Sequence, residues 1–299
     1  MLNYFKAYRE RGWQDISAQE YSAAWQTFGG SVATHPDIVE RLSDFAQLQV
    51  SYLGWFEGEQ LQAALPVTGR YLALSKDCLK HAKKRHLFDL GNAEIILPVA
   101  QEAQVLLRHK VRYLSALNSQ QIVSAKPQKE SLALARQPEE YSKKFRYNQR
   151  REQRLLEEAG GSLVPMENLS TQEIASIYTS LFERRWGFPV PGKGHLVDVF
   201  NLLREFMVGN LVYLDNQPVA IQILYRVEAP NWVSLEYING GVDPQQREFS
   251  PGSVLSFVNT QEQWAYAREQ GKTLRYSFGR SDREYKDRWC NNHPVYEVR

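Results

Sequence analysis

One order of elements runs through this chain twice: two helices, then a hairpin of apolar strands. In the first half Ser17 stands where the N-cap of a helix through Tyr21 and Trp25 belongs, and Gly29-Gly30 stops that helix. His35-Pro36-Asp37 opens a second helix, with Ile38, Leu42 and Phe45 at helical spacing. Residues 50–56 then alternate as a strand, Glu57-Gly58-Glu59 turns, and 61–67 returns. In the second half 171–186 is amphipathic, a Pro/Gly stretch at 188–194 breaks it, and 195–207 reads as a second helix. Strands at 211–214 and 219–227 flank a turn at Asp215-Asn216-Gln217, and 232–238 adds a further strand. The two hairpins, VSYLGWFEGEQLQAALPV and NLVYLDNQPVAIQILYRV, align strand for strand. The expected fold class is therefore α/β (α+β), a degenerate repeat of one unit, each copy a mixed β-sheet flanked by helices. Pro127 and Pro138 flank polar and small residues, which puts the boundary in 126–138 and the units at 1–137 and 138–299. Between the hairpins, 78–86 is basic and reads as a loop or short helix, and 94–99 as a short apolar strand.

Charge and composition exclude several classes. Lys and Arg number 36 against 34 Asp and Glu, so a net +2 is neither a polycation nor an acidic tail. Hydrophobic residues at 43% can fill a core in each unit, which excludes wholesale disorder. Cys78 and Cys290 are too few for a disulfide scaffold, and they imply a reducing, cytoplasmic setting. No apolar run of about 18 residues predicts a transmembrane helix, and the N-terminus has neither a secretory apolar region nor Met-Gly. That N-terminus does mix Leu2, Tyr4, Phe5, Tyr8 and Trp13 with Lys6, Arg9 and Arg11. Such a mixture suits an anionic membrane surface, and equally an ordinary first helix packed on its own domain. The histidines show no HExxH and the cysteines no close partner, so no metal site is expected. Gly-x-Ser-x-Gly and Walker motifs are also missing.

The segment 247–271 has a sharp helix start: Ser250 at the N-cap, Pro251 at the first helical position, Gly252 and Ser253 next, and Gly271 past the end. Val254, Phe257, Val258, Trp264 and Ala265 give it a core-facing stripe. Open amides and the dipole at such a start favour a phosphate, although a well-capped helix alone would look the same. Residues 274–280 read as a strand, followed by SDREYKDRW. There Tyr285 could donate a proton to a leaving group, with Lys286 and Arg280 stabilising an oxyanion or phosphate. The competing reading is a surface turn whose cations pair with Asp282, Glu284 and Asp287. Glu236, in VSLEYINGG, is a strand carboxylate that could act as a base or simply be solvated. On the helix 143–159, Lys143, Arg146, Arg150 and Arg154 fall within an arc of roughly 80°, with Phe145, Leu156 and Ala159 opposite. Like charges at that spacing suit an anionic partner, such as lipid headgroups, envelope phosphates or tRNA. A solvated face balanced by Glu152, Glu157 and Glu158 is the alternative.

Arg247-Glu248-Phe249-Ser250-Pro251-Gly252 resembles the Gln/Arg-x-x-Gly-x-Gly/Ala motif with which GNAT-superfamily acetyltransferases hold the coenzyme A pyrophosphate. Arg247 and Gly252 match, and Ser250 replaces the first glycine. The Ser-Pro-Gly form, with Gly279, Tyr285, Lys286 and Trp289, resembles the divergent branch of FemAB-type peptidoglycan aminoacyltransferases and cellulose-biosynthesis-type acetyltransferase domains. Those FemAB-type proteins carry a similar basic helix opening their second unit. The chain as a whole resembles the enterobacterial Mig-14 family, on SVATHP, GRYLALSKD, FDLGNAEIILP, KFRYNQRRE, ERRWGFP, LREFMVG, EYINGGVDP, FSPGSVLSF and SFGRSDREYKDRWC. The resemblance implies two tandem GNAT-like units and a protein associated with the bacterial inner membrane, with a role in resistance to cationic antimicrobial peptides. It implies no settled reaction: as a transferase the chain would use acyl-CoA or aminoacyl-tRNA as donor, no tightly bound cofactor, and an envelope lipid or peptidoglycan-type acceptor, and as a GNAT fold that has lost its donor it would be a non-catalytic membrane-associated binding module. Members have also been labelled transcriptional regulators, but no helix-turn-helix is legible and the near-neutral charge argues against DNA.

Overall fold

The computed structural model describes residues 2–299, with the side chains of all of them except Leu2, Asn3, Tyr4 and Arg247. The first unit runs α1 (Leu2–Arg9), β1 (Trp13–Ile16), α2 (Ala18–Phe28), α3 (Pro36–Ala46), β2 (Ser51–Glu57), β3 (Gln60–Thr68), β4 (Tyr71–Leu72), α4 (Lys76–His81), β5 (Val111–Ser115) and β6 (Lys126–Ala135). The second runs α5 (Lys143–Glu158), β7 (Gly161–Pro165), α6 (Thr171–Trp186), α7 (Leu196–Leu202), β8 (Met207–Val208), β9 (Asn210–Leu214), β10 (Gln217–Glu228), β11 (Trp232–Val242), α8 (Pro251–Glu269), β12 (Thr273–Arg280) and β13 (Cys290–Val298). The repeat is direct: β1-α2-α3-β2-β3-β4-α4-β5 matches β7-α6-α7-β9-β10-β11-α8-β12.

Local chemistry sets these elements. Ser17 caps α2 by accepting from the Glu20 amide at 3.1 Å, while Glu20 accepts back from the Ser17 amide at 2.7 Å. Ser170 and Glu173 form the same reciprocal box at α6, and Gly187, at φ +73°, ends that helix in the left-handed conformation that costs glycine little. Gly241 carries no side chain because a Cβ there would stand 2.5 Å from the Cβ of Leu181, so α6 lies directly against β11.

The first unit holds a four-stranded sheet in the order β1-β2-β3-β4. The second sheet runs β5-β13-β6-β12-β11-β10-β9-β7, with β8 on β10. β11 and β12 pair in parallel, and every other neighbouring pair in this sheet is antiparallel. Three expectations change here. The predicted boundary 126–138 is largely strand β6, which lies between β12 and β13, so the first half of the chain completes the second sheet. Residues 94–99 make only isolated bridges, because the amides of Glu94, Ile96 and Leu97 donate to the side chains of Glu236, Ser31 and Asn118 instead of a neighbouring strand. The helix expected over 195–207 ends at Leu202, and Met207 pairs with Tyr225 as part of β8. There the Arg204 guanidinium donates to the carbonyls of Met166, Glu167 and Leu169, pinning the turn.

The two units share their largest apolar cluster: Trp25, Ile38 and Leu42 of the first pack with Ile174, Leu181 and Phe200 of the second. Beside it sits a polar cluster. The Arg275 guanidinium on β12 donates to both carboxylate oxygens of Glu94, its Nε at 2.9 Å. Ser115 Oγ donates to Glu94 at 2.6 Å, and the Glu94 amide donates to the Glu236 carboxyl at 2.7 Å. Removing one partner of a buried pair strands the other charge, so Arg275→Met is expected to cost about 3 kcal/mol, read by urea unfolding. The double variant Arg275→Met/Glu94→Met is expected to recover at least half of that, because no uncompensated charge is left behind.

Candidate functional site

The parallel pairing of β11 with β12 ends at Glu236 and Ser277. Just beyond, the β10–β11 register slips: Ile223 faces Asn239 and Leu224 faces Tyr237, leaving Ile238 as an extra residue. Residues 237–242 of β11 therefore leave β12, and a cleft of about 890 Å3 opens at the divergence. Gln222, Tyr237 and Val242 line it from the sheet, and Ser250, Pro251, Gly252 and Ser253 from the first turn of α8. Tyr285, Asp287 and Arg288 line it from the 3₁₀ turn after β12, and Arg185 from the end of α6.

A ladder of buried amides fixes α8 on the sheet. Gln222 Nε2 donates to Ser256 Oγ and Asn259 Nδ2 donates to Gln222 Oε1, both at 2.9 Å. Asn259 Oδ1 accepts the Asn210 amide, also at 2.9 Å. Gly252 lets the first turn approach β11, since a Cβ would stand 2.9 Å from Val242 Cγ2. Ser250 has φ +47°, and its side chain makes no cap. Its carbonyl accepts the amides of Ser253 and Val254 at 2.9 and 3.0 Å, and Pro251 has no N–H. Of the first three amides that leaves Gly252 alone without a helix carbonyl to donate to, and Gly252 lines the cleft together with Ser250 and Ser253. That is narrower than the expected row of open amides, because Pro251 has no N–H and Ser253 already donates to the Ser250 carbonyl. The side chain of Arg247 lies outside the described residues. α8 otherwise buries Val254, Phe257, Val258 and Trp264 as expected, but Ala265 faces out, and Ala267 takes the core position.

Tyr285 is half exposed in the cleft. Desolvation by the walls raises its phenol above the ordinary tyrosine value, with Tyr237 adding to the rise and Arg185 opposing it. The phenol is therefore protonated at physiological pH. Lys286 and Arg280 do not line the cleft. Lys286 is buried, its Nζ donating to the Arg280 carbonyl at 2.6 Å and reaching Asp282 at 3.4 Å, and burial lowers its pKa. Arg280 pairs with Glu130 at 2.8 Å and Asp282 at 2.7 Å. Both cations therefore brace the turn that presents Tyr285, because their charges are met by the chain itself. Glu236 is likewise outside the cleft and is not solvated: it points to the opposite face of β11, onto Glu94. Burial pushes its carboxyl well above the ordinary value, Ser277 lowering it in part and Glu94 raising it further.

The basic helix α5 stands apart from this cleft. Lys143, Arg150 and Arg154 are exposed, and Arg154 lies 3.7 Å from Glu158. Arg146 is half-buried and donates to the Pro138 carbonyl at 3.0 Å. Arg146 and Arg150 line a groove with Gln261, Trp264 and Arg268 of α8, roughly 15–25 Å along that helix from Gly252 at a rise of ~1.5 Å per residue. At the other end of the chain, α1 leaves Phe5 and Tyr8 exposed, with Arg108 over the Tyr8 ring, while Trp13 is buried. The amide ladder escaped sequence reasoning. Its signal is faint but present: Gln222 interrupts the apolar run Val219–Leu224, and Asn259 directly follows the apolar pair Phe257-Val258.

The model of the Mig-14 family matches residues 35–298 of this chain. The chain belongs to the Mig-14 family. Among curated proteins none matches its sequence. Among solved structures it is similar to FemX at a TM-score of 0.57 and 11% identity, over 96% of each chain. It is also similar to a C-terminal domain assigned to lysylphosphatidylglycerol synthetase from Agrobacterium fabrum, at 0.50 and 12%, over 94% of this chain and 92% of that one. A tandem GNAT protein from the clavulanic acid biosynthesis pathway scores 0.46 at 10%, over 95% and 97%. The fold of this Mig-14 family member is two tandem GNAT-like units, the first with a two-residue β4 and a six-residue α4.

Glu236 gives a pH test. An acid whose folded value lies above its unfolded value of 4.5 contributes stability that is complete below that value and lost as pH rises through the native one. Relative to Glu236→Gln, the wild type is expected to lose up to ~1.4 kcal/mol per pH unit from about pH 5 upward, read by urea unfolding between pH 5 and 9. Parallel profiles for the two proteins would show that Glu236 is ionised in the fold.

Proposed function

We propose that the chain transfers an acyl or aminoacyl group from a phosphate-bearing donor, acyl-CoA or aminoacyl-tRNA, to an amine or hydroxyl of an envelope component. The observation that carries this reading is the cleft where β11 and β12 part, with the first turn of α8 on one wall and Tyr285 on the other. The Gly252 amide, the Ser250 and Ser253 hydroxyls, and the helix dipole seat the donor's phosphate, and Arg185 and Arg288 add positive charge at the mouth. The acceptor's lone pair attacks the donor carbonyl, the leaving thiolate or alkoxide takes a proton from Tyr285, and water takes the acceptor's proton. One neighbour's name specifies an aminoacylated lipid, and the resemblance to FemAB-type proteins points to peptidoglycan precursors, so both acceptor types stand in this reading. Acylating an envelope amine or hydroxyl changes how cationic peptides bind, which connects the activity to peptide resistance.

The donor question is answered by titrating purified protein with acyl-CoA and with charged tRNA, with and without envelope extract. Binding of neither donor removes the transfer reading. Tyr285→Phe is expected to lower the transfer rate about 100-fold while donor affinity changes little.

The same reading places the protein peripherally on the cytoplasmic side of the inner membrane. No helix among the described residues is long and apolar enough to cross a membrane. Exposed Phe5 and Tyr8 beside Lys6 and Arg108 suit an anionic surface, and the α5 face of Lys143, Arg150 and Arg154 suits lipid phosphates or tRNA. Phe5→Glu with Tyr8→Glu is expected to reduce co-sedimentation with anionic vesicles several-fold; unchanged sedimentation assigns membrane contact elsewhere.

A second reading, a non-catalytic membrane-associated binding module, draws on the narrow helix start at Ser250 and on the self-paired Lys286 and Arg280. Full peptide resistance in Tyr285→Phe, with loss in Arg150→Glu/Arg154→Glu, selects that reading; the reverse selects catalysis.

A further inference from the structure

The repeat places a second cleft in the first unit. There β4, α4 and β5, the counterparts of β11, α8 and β12, wall a pocket of about 450 Å3. Tyr71 and Lys110 meet in one parallel bridge, and beyond it the two segments separate, as β11 and β12 separate beyond Glu236 and Ser277. The pocket's wall at Gly91 and Asn92 lies against Ile238 and Gly279, so the two clefts sit back to back across β11 and β12.

The lining of this pocket is unlike that of its counterpart. Its floor is hydrocarbon: Leu72, Leu74, Leu79, Phe88, Leu90 and Ile95 line it, all buried. Five cations also line it, Lys76, Lys80, Arg85, Lys110 and Arg112, against the carboxylates of Asp77 and Asp89. Lys76 has Asp89 at 3.8 Å, and Arg112 has Glu130 at 2.9 Å. Among the described residues no ion pair within 4.0 Å involves Lys80, Arg85 or Lys110. Like charges gathered at one pocket create a field that an anion relieves, and low-dielectric walls focus that field. The backbone adds an independent sign. Leu74, His86 and Tyr113, all in the lining, have φ of +59°, +77° and +57°. Side chains with a Cβ avoid this conformation, and such strain collects at ligand sites.

We propose that this pocket binds a phosphorylated amphiphile, its phosphate monoester held by Lys80, Arg85 and Lys110 and its short apolar portion on the leucine-rich floor. The site stands whether or not the cleft at α8 carries a donor. It is tested by calorimetry on the full chain with hexyl phosphate, inorganic phosphate and hexan-1-ol as probes. Hexyl phosphate is expected to bind at least tenfold more tightly than either of the others, because neither of those engages both the cations and the floor. Lys80→Glu with Arg85→Glu, two exposed positions whose change leaves the core intact, is expected to weaken hexyl phosphate at least tenfold. Lys144→Glu, a charge reversal at an exposed position assigned to neither site, is expected to leave it unchanged. Equal binding of inorganic phosphate, no binding of hexyl phosphate, or an equal loss in Lys144→Glu overturns the proposal. Donor titration at the α8 cleft reports on the transfer reading separately, so failure of one is distinguishable from failure of the other.

Discussion

The pair between Arg275 and Glu94 fixes where two strands part. Arg275 stands opposite Ser234, two rungs before the last pairing of β11 with β12, and Glu94 reaches it from the other unit. Glu236, at that last rung, accepts the Glu94 amide. Below this point the strands are locked together by backbone pairing and by one shared residue, Glu94, whose carboxylate holds Arg275 of β12 and whose amide donates to Glu236 of β11. Above it the extra residue Ile238 turns β11 away. The cleft is thus a consequence of a clamp and a bulge acting on neighbouring residues. The clamp is built from both halves of the chain, so the position of the cleft depends on how the two units meet. Because burial makes such a cluster costly unless every group is partnered, the arrangement has little freedom to slide.

Periodicity and capping made most of the fold legible. Ser17 and Ser170 announce helices with reciprocal boxes, and Pro251 and Gly271 bracket α8 as read. What escaped was non-local. Nothing local in residues 126–135 says that they pair with a strand more than 150 residues later, and Pro127 reads more naturally as a linker. Residues 94–99 look like a strand because their side chains are apolar, but their amides are claimed by Ser31, Asn118 and Glu236, which come from distant parts of the sequence.

At the candidate site the division is similar. The helix start and Tyr285 reach the same cleft, as their types and order suggested. Lys286, Arg280 and Glu236 do not, because residue type reveals a charge and not its partner. Asp282 and Glu130 neutralise the two cations, and a second glutamate faces Glu236. The two repeats have also diverged most in what their clefts display: serines, a glycine and a tyrosine in one, leucines under a ring of cations in the other. A shared backbone plan has been kept while the chemistry exposed by it has been rewritten, as expected when function resides in side chains grafted onto a common frame.

Strand β13 has a consequence for synthesis. Its nine residues, Cys290–Val298, slot between β5 and β6, both of which leave the ribosome more than 150 residues earlier. Until translation is nearly finished those two strands each wait with an unpaired edge, and such edges invite pairing with other chains. The nascent protein therefore carries bare strand edges for longer than its first unit alone would require, and any premature stop upstream of Cys290 leaves a sheet with a missing slat.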